Sequence, residues 1–124
     1  MALLTPLKSA RGLGSAKEGV AHWWAQRLSA LALIPLSLWF VASLFYLFRV
    51  GRFELMAWLA DPINATLMVL LLGFTFWHAK LGLQVVIEDY VRRECCKQAL
   101  LLTNQLLTLA LGVPSIVSVL MLAI

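Results

Sequence analysis

The chain alternates long apolar runs with short charged stretches. Leu28 to Phe48 contains no charge, Ile63 to Ile87 holds only His78 and Lys80 as ionisable side chains, and Ala99 to Ile124 holds none. Each run exceeds the roughly 20 residues that cross a bilayer as a helix. The pattern predicts an all-α membrane protein with three transmembrane helices at about 28–48, 63–87 and 99–124. Residues 1–27 then form an arm and interfacial segment, and residues 28–124 form one three-helix domain. The stretch from Arg49 to Pro62 reads as a short polar loop, in which Asp61 caps the second helix and Pro62 occupies its first turn. Pro35 and Pro114 fall inside the first and third runs, where neighbouring groups can satisfy the carbonyls they free.

Composition rules out a soluble domain: with 62% hydrophobic and 13% charged residues in 124, the chain lacks the polar surface to cover itself. The positions of the basic residues set an expected orientation. Lys8, Arg11, Lys17 and Arg27 precede the first run, and Arg92, Arg93 and Lys97 separate the second from the third, whereas Arg49 and Arg52 stand alone on the other side. The positive-inside rule therefore predicts a cytoplasmic N-terminus and a periplasmic C-terminus in a bacterial inner membrane. In a mitochondrial inner membrane the equivalent side is the matrix. The first 25 residues have no long apolar core ending in a small-residue cleavage site, so they are expected to remain as an arm. Gly12, Gly14, Ser15 and Gly19 fit either a mobile tail or a segment lying along a soluble partner, and Trp23 and Trp24 suit interfacial anchors. Cys95 and Cys96 are adjacent in the expected cytoplasmic loop, a spacing that suits neither a disulfide framework nor a metal site.

The chemistry concentrates in the second run. A histidine in hydrocarbon needs a partner, so His78 is a candidate functional residue, with a haem iron as one partner and an interior hydrogen bond as the other. Gly82, Val85 and Asp89 share its stripe at 100° per residue, so Gly82 either admits a flat macrocycle or serves as a helix-packing contact. Lys80 points about 200° away and is expected to snorkel to the headgroups or face a partner subunit. Gln84 is expected to bond a neighbouring helix. Asp89 and Tyr90 lie about 16 to 18 Å further along, at the membrane mouth. There the phenol could donate to a quinone carbonyl while the carboxylate orients it or relays protons. The same pair also fits an interfacial tyrosine with Glu88 and Asp89 balancing Arg92 and Arg93.

The block His78-Ala79-Lys80-Leu81-Gly82-Leu83-Gln84-Val85-Val86-Ile87-Glu88-Asp89-Tyr90-Val91 resembles the second-helix motif of the small hydrophobic membrane anchor subunit of succinate dehydrogenase, respiratory complex II. The lead-in His22-Trp23-Trp24-Ala25-Gln26-Arg27-Leu28-Ser29-Ala30 is similar to that of the alphaproteobacterial and mitochondrial branch. The resemblance runs from Gly19 onwards.

That resemblance implies a set of roles. His78 takes the place of the axial ligand of haem b, the other axial ligand coming from the second, larger anchor subunit. Tyr90 stands where the family hydrogen-bonds ubiquinone, with Asp89 as the acidic neighbour. Arg27 matches a basic residue near the haem propionates and quinone pocket. His22 belongs to the same lead-in, whose histidine-to-arginine spacing varies in the family. The implied partners are a flavoprotein, an iron-sulfur subunit, the second cytochrome b anchor, ubiquinone and the phospholipid membrane, with no nucleic acid. The chain has no cysteine cluster for an iron-sulfur centre, so flavin and clusters would belong to those partners. The chain would not be catalytic alone. A fumarate reductase anchor would share the architecture, and another b-type cytochrome subunit would explain His78 but not the Asp89-Tyr90 block. A proton-coupled transporter would need a membrane-centred acid, which the spans lack.

Overall fold

The structure, a computed structural model, describes residues 16–124, with side chains from residue 19 onward. The expected arm positions Lys8, Arg11, Gly12, Gly14 and Ser15 lie outside the described residues. The described chain forms four helices: α1 (Ala16–Leu47), α2 (Arg52–Ala60), α3 (Pro62–Tyr90) and α4 (Glu94–Ala123). Three of them, α1, α3 and α4, are long and apolar enough to cross a membrane, as the apolar runs predict. At 32, 29 and 30 residues they exceed what crossing requires. Their lengths of about 43 to 48 Å outrun the roughly 30 Å of hydrocarbon, so the helices tilt or their ends stand among the headgroups.

Three boundaries differ from the sequence reading. The first helix starts at Ala16, inside the stretch expected to be an arm, and the fourth starts at Glu94, so Cys95, Cys96 and Lys97 lie in its first turn rather than in a loop. Hydropathy marks where hydrocarbon begins, but a helix ladder continues into the polar region as long as nothing stops it. The Arg49–Pro62 stretch is the third correction, because most of it is the short helix α2. Phe53, Leu55, Met56, Trp58 and Leu59 make this segment too apolar for a plain polar loop, and none of its residues is buried, so it lies on the surface of the bundle. It is tied down at two points. The Trp58 indole stacks on Trp39 of α1, with centroids 5.6 Å apart and planes 16° from parallel. Asn64 of α3 donates from Nδ2 to the Trp58 carbonyl at 3.0 Å, satisfying a group near the end of the short helix. Asp61 then caps α3 as expected: its carboxylate accepts from the Ile63 amide at 2.8 Å, with Pro62 in the first turn. Pro35 and Pro114 sit within α1 and α4, and both helices continue through them.

The third helix packs against both α1 and α4, antiparallel to each. Few apolar side chains are buried in this chain alone; Leu36, Ala65, Leu71 and Leu81 are the buried hydrophobics among the described residues. Hydrocarbon solvates leucine as well as another leucine does, so close backbone approach and hydrogen bonds hold such helices together. Gly112 shows the first of these. A Cβ placed there would lie 3.3 Å from Cγ and 3.4 Å from Cδ2 of Phe76, so the missing side chain lets that ring lie on the α4 backbone. Gly73 has nothing within 4 Å of the same hypothetical atom.

The two glycines therefore predict opposite outcomes. Gly112→Val should destabilise the α3–α4 packing by about 1–3 kcal/mol, the usual cost of overfilling a packed site, whereas Gly73→Ala should be neutral or slightly stabilising. Denaturant titration of the purified protein in detergent checks both, and equal responses would contradict the packing described.

Candidate functional site

The lead-in to the membrane contributes a polar row at helical spacing. His22, Gln26 and Ser29 recur at i, i+4 and i+7 on α1, one stripe of an otherwise apolar helix. The stripe faces α3. Ser29 is fully buried, with 0% of its surface exposed, and its Oγ lies 3.0 Å from Nδ1 of His78. One turn along α3 from His78, Gly82 would meet Nε2 of Gln26 at 3.7 Å if it carried a Cβ. That is ordinary van der Waals distance, so α1 approaches α3 closely at this level.

Two contacts of Ser29 bear on the imidazole. Its hydroxyl donates to the carbonyl of Gln26 at 3.0 Å, and a carbonyl can only accept. Both contacts are satisfied together in one arrangement, with Ser29 donating to Gln26 and accepting from an N–H at His78 Nδ1. The opposite nitrogen, Nε2, then carries a free lone pair. That is the arrangement of a metal-ligating histidine, in which a hydrogen bond at one ring nitrogen fixes the tautomer and makes the other nitrogen a better ligand. No group of three or more His, Cys, Asp or Glu among the described residues is placed to hold a metal ion.

Two polar atoms on the same seam are shielded from solvent and have no hydrogen-bond partner among the described residues, Nε2 of His22 and Oε1 of Gln26. Buried polar atoms normally have partners, so this pair marks a place where a polar group or water belongs. A cavity of about 350 Å³ opens beside it, lined by Gly19, His22, Gln84 and Glu88. Gln84 does not reach a neighbouring helix as expected. Its Nε2 donates to Glu88 Oε1 at 3.0 Å on its own helix.

The remaining candidate residues stand apart from this seam. Arg27 lies roughly 200° around α1 from Ser29, on the exposed side, with its guanidinium 5.4 Å above the centre of the Trp23 ring. Trp23 in turn meets Trp24 edge-on at 5.1 Å. Asp89 and Tyr90 close α3 and both are exposed, Tyr90 to 80%. No ion pair forms between Glu88 or Asp89 and Arg92 or Arg93; among the described residues the ion pair present joins Lys97 to Glu94 at 3.9 Å. Lys80 is half-buried and lines a polar cavity between α3 and α4. Cys95 and Cys96 are exposed free thiols. Sequence reasoning missed Ser29, the buried partner of His78, although the spacing of His22, Gln26 and Ser29 was the signal that could have found it.

A family model described as succinate dehydrogenase/fumarate reductase transmembrane subunit matches residues 1–120. The succinate dehydrogenase hydrophobic membrane anchor subunit of Rickettsia bellii is 34% identical over 114 residues, covering 89% of this chain and 88% of that protein. The corresponding subunit of Paracoccus denitrificans is 33% identical over 101 residues, covering 82% of this chain and 78% of the relative. The succinate dehydrogenase membrane anchor subunit of Reclinomonas americana is 31% identical over 81 residues, covering 63% of this chain and 68% of the relative. No solved structure gives a significant match. A match along nearly the whole chain, carried on three membrane-spanning helices, places this protein in the succinate dehydrogenase/fumarate reductase transmembrane subunit family.

Proposed function

We propose that this chain is the hydrophobic anchor of a succinate:ubiquinone oxidoreductase in a bacterial inner membrane, with its N-terminus in the cytoplasm. In this reading His78 is one axial ligand of a haem b shared with a second anchor subunit, and Tyr90 and Asp89 form part of the ubiquinone reduction site. A flavoprotein and an iron-sulfur subunit complete the enzyme. The observation that carries the proposal is the Ser29–His78 hydrogen bond, which leaves Nε2 as a bare donor within a membrane-spanning helix. The names of the relatives support succinate dehydrogenase. A fumarate reductase anchor would differ in the direction of net electron flow, which the quinone potential sets.

When bound, the haem supplies a one-electron redox centre inside the bilayer. The chain's own work is to hold and orient. Ser29 fixes the imidazole plane and keeps the proton on Nδ1. His22 and Gln26 offer unused polar atoms on the same seam, suited to a haem carboxylate or its hydration. Arg27 faces away from His78, so its contact with a propionate or quinone would be made on the far side of α1, where another subunit would sit. At the end of α3 the Tyr90 hydroxyl would donate to a quinone oxygen as that oxygen gains charge, and the Asp89 carboxylate would hold the phenol or pass a proton. The basic residues Arg27, Arg92, Arg93 and Lys97 mark the membrane face on which this happens, and they support its cytoplasmic placement.

Substitution of His78 tests the ligand. His78→Ala should remove or strongly weaken the b-type absorption of the purified assembly while the subunits still associate; an unchanged spectrum and midpoint potential would exclude His78 as a ligand. Ser29→Ala should raise the haem midpoint potential, because an imidazole that has lost its hydrogen-bond acceptor is a poorer donor and stabilises ferric iron less. Ser29→Thr, which restores a hydroxyl, should return the potential towards the parent value, a rescue that loss of packing alone would not produce.

The quinone role is tested separately. Tyr90→Phe should lower ubiquinone reduction by roughly 100-fold, the scale of a lost donor to a developing negative oxygen. Haem content and electron transfer from succinate to a soluble dye should remain. Undiminished ubiquinone turnover would remove Tyr90 from the site.

A further inference from the structure

Lys80 is a cation with no counter-charge among the described residues. It sits within α3 about 15 Å from the Tyr90 end, and a centred helix of this length leaves its backbone about 8 Å below the hydrocarbon edge. Among the described residues no carboxylate lies within ion-pair distance of its ammonium. A charged group at that depth needs an anion or a polar surround.

The cavity it lines, about 300 Å³ between α3 and α4, has the composition to bind an anion. Gln84, Gln98, Asn104 and Gln105 supply amides from two helices, and no acidic residue lines it. Three of these amides are already placed by other bonds. Asn104, itself buried, donates to the Lys80 carbonyl at 3.0 Å and so locks the two helices at this level. Gln84 and Gln98 donate one proton each to Glu88 and Glu94 on their own helices. The donors left over are the three ammonium protons of Lys80, the amide of Gln105 and the second proton of each held amide. Leu101 and Leu102 of α4 complete the wall, giving a polar recess with an apolar flank.

We propose that this cavity binds the phosphate of an anionic phospholipid headgroup, with Lys80 as the charge, Gln105 as a further donor and Leu101 and Leu102 against the acyl chains. The four-carbon stem of lysine carries the ammonium most of the way to the interface, where a phosphate can meet it. A freely diffusing phosphate would satisfy the same donors but would gain nothing from the leucine flank. This reading is independent of haem and quinone.

The test uses the detergent-solubilised assembly that contains this chain, stripped of loosely held lipid. Phosphatidylglycerol, phosphatidylcholine or inorganic phosphate is added, and bound lipid is counted by native mass spectrometry alongside the thermal unfolding midpoint. Phosphatidylglycerol should be retained and should raise the midpoint, with phosphatidylcholine and inorganic phosphate doing so much less. Lys80→Gln should weaken phosphatidylglycerol binding about five- to ten-fold, the loss expected for one cation at a lipid phosphate. Lys80→Arg should retain binding. Lys97→Gln, which removes a nearby cation outside the cavity, should leave it unchanged. If Lys80→Gln does not assemble, Gln105→Leu gives a second reading, expected to weaken the same adduct. Equal binding by the parent, Lys80→Gln and Gln105→Leu would overturn the proposal. So would equal protection by inorganic phosphate, or carbodiimide cross-linking of Lys80 to a carboxylate of another subunit.

Discussion

Hydrocarbon offers no hydrogen bonds, and that constraint organises the whole bundle. Every backbone polar group in the spans must find its partner within the protein, and polar side chains need partners too. Most do so locally: Ser43, Thr66, Thr103, Thr108, Ser115 and Ser118 each donate to the carbonyl four residues earlier on their own helix. Three side chains instead reach another element, and each ties a different pair of helices. The Ser29–His78 bond joins α1 to α3, Asn104 joins α4 to α3 through the Lys80 carbonyl, and Asn64 joins α3 to α2 through the Trp58 carbonyl. Bonds of this kind are worth about 0.6 to 2 kcal/mol each in a membrane. That is modest beside a soluble core, yet they choose the rotation of each helix, which apolar packing alone would leave loosely specified.

The most buried polar residue of the chain is therefore also its most informative one. Ser29 Oγ lies at hydrogen-bonding distance from both a backbone carbonyl and an imidazole, so one buried hydroxyl both packs two helices and restricts the orientation of His78. Structural and chemical roles are not separable at this position. On the same stripe, His22 Nε2 and Gln26 Oε1 have no partner among the described residues. The wide exposure of large apolar side chains elsewhere, from Leu38 and Phe45 to Leu106 and Met121, is what a lipid- or subunit-facing surface looks like without its surroundings.

Part of this was legible in the residues. Length and hydropathy identify three spans because a bilayer demands them, and Asp61-Pro62 announces the start of α3 because capping is local chemistry. His78 stands out because an imidazole is costly in lipid. The helix ends were not legible in the same way: α1 and α4 begin well before their apolar runs, since polar residues such as Gln26 and Lys97 continue a helix readily. The short helix α2 was hidden behind the arginines at its start, although Phe53 to Leu59 are mostly apolar. Contacts between helices were the least readable. Nearly uniform apolar helices carry little record of which side faces which neighbour, so the packing at Gly82, the turn of Lys80 towards α4 and the partnership of Ser29 emerge only in three dimensions.

The link between α3 and α4 has a mechanical consequence. It consists of Val91, Arg92 and Arg93, and the backbone is extended at both Val91 and Arg93. The four Cα–Cα steps from Tyr90 to Glu94 reach at most roughly 14 Å, against the 8–10 Å between the axes of packed helices. The link is a short tether with limited slack. Tyr90 is the last helical residue before it, so rocking or sliding of α4 transmits strain directly to the backbone that carries the phenol. The fourth helix, which bears no recognisable motif of its own, thereby becomes a lever on the aim of the one hydroxyl at the membrane mouth.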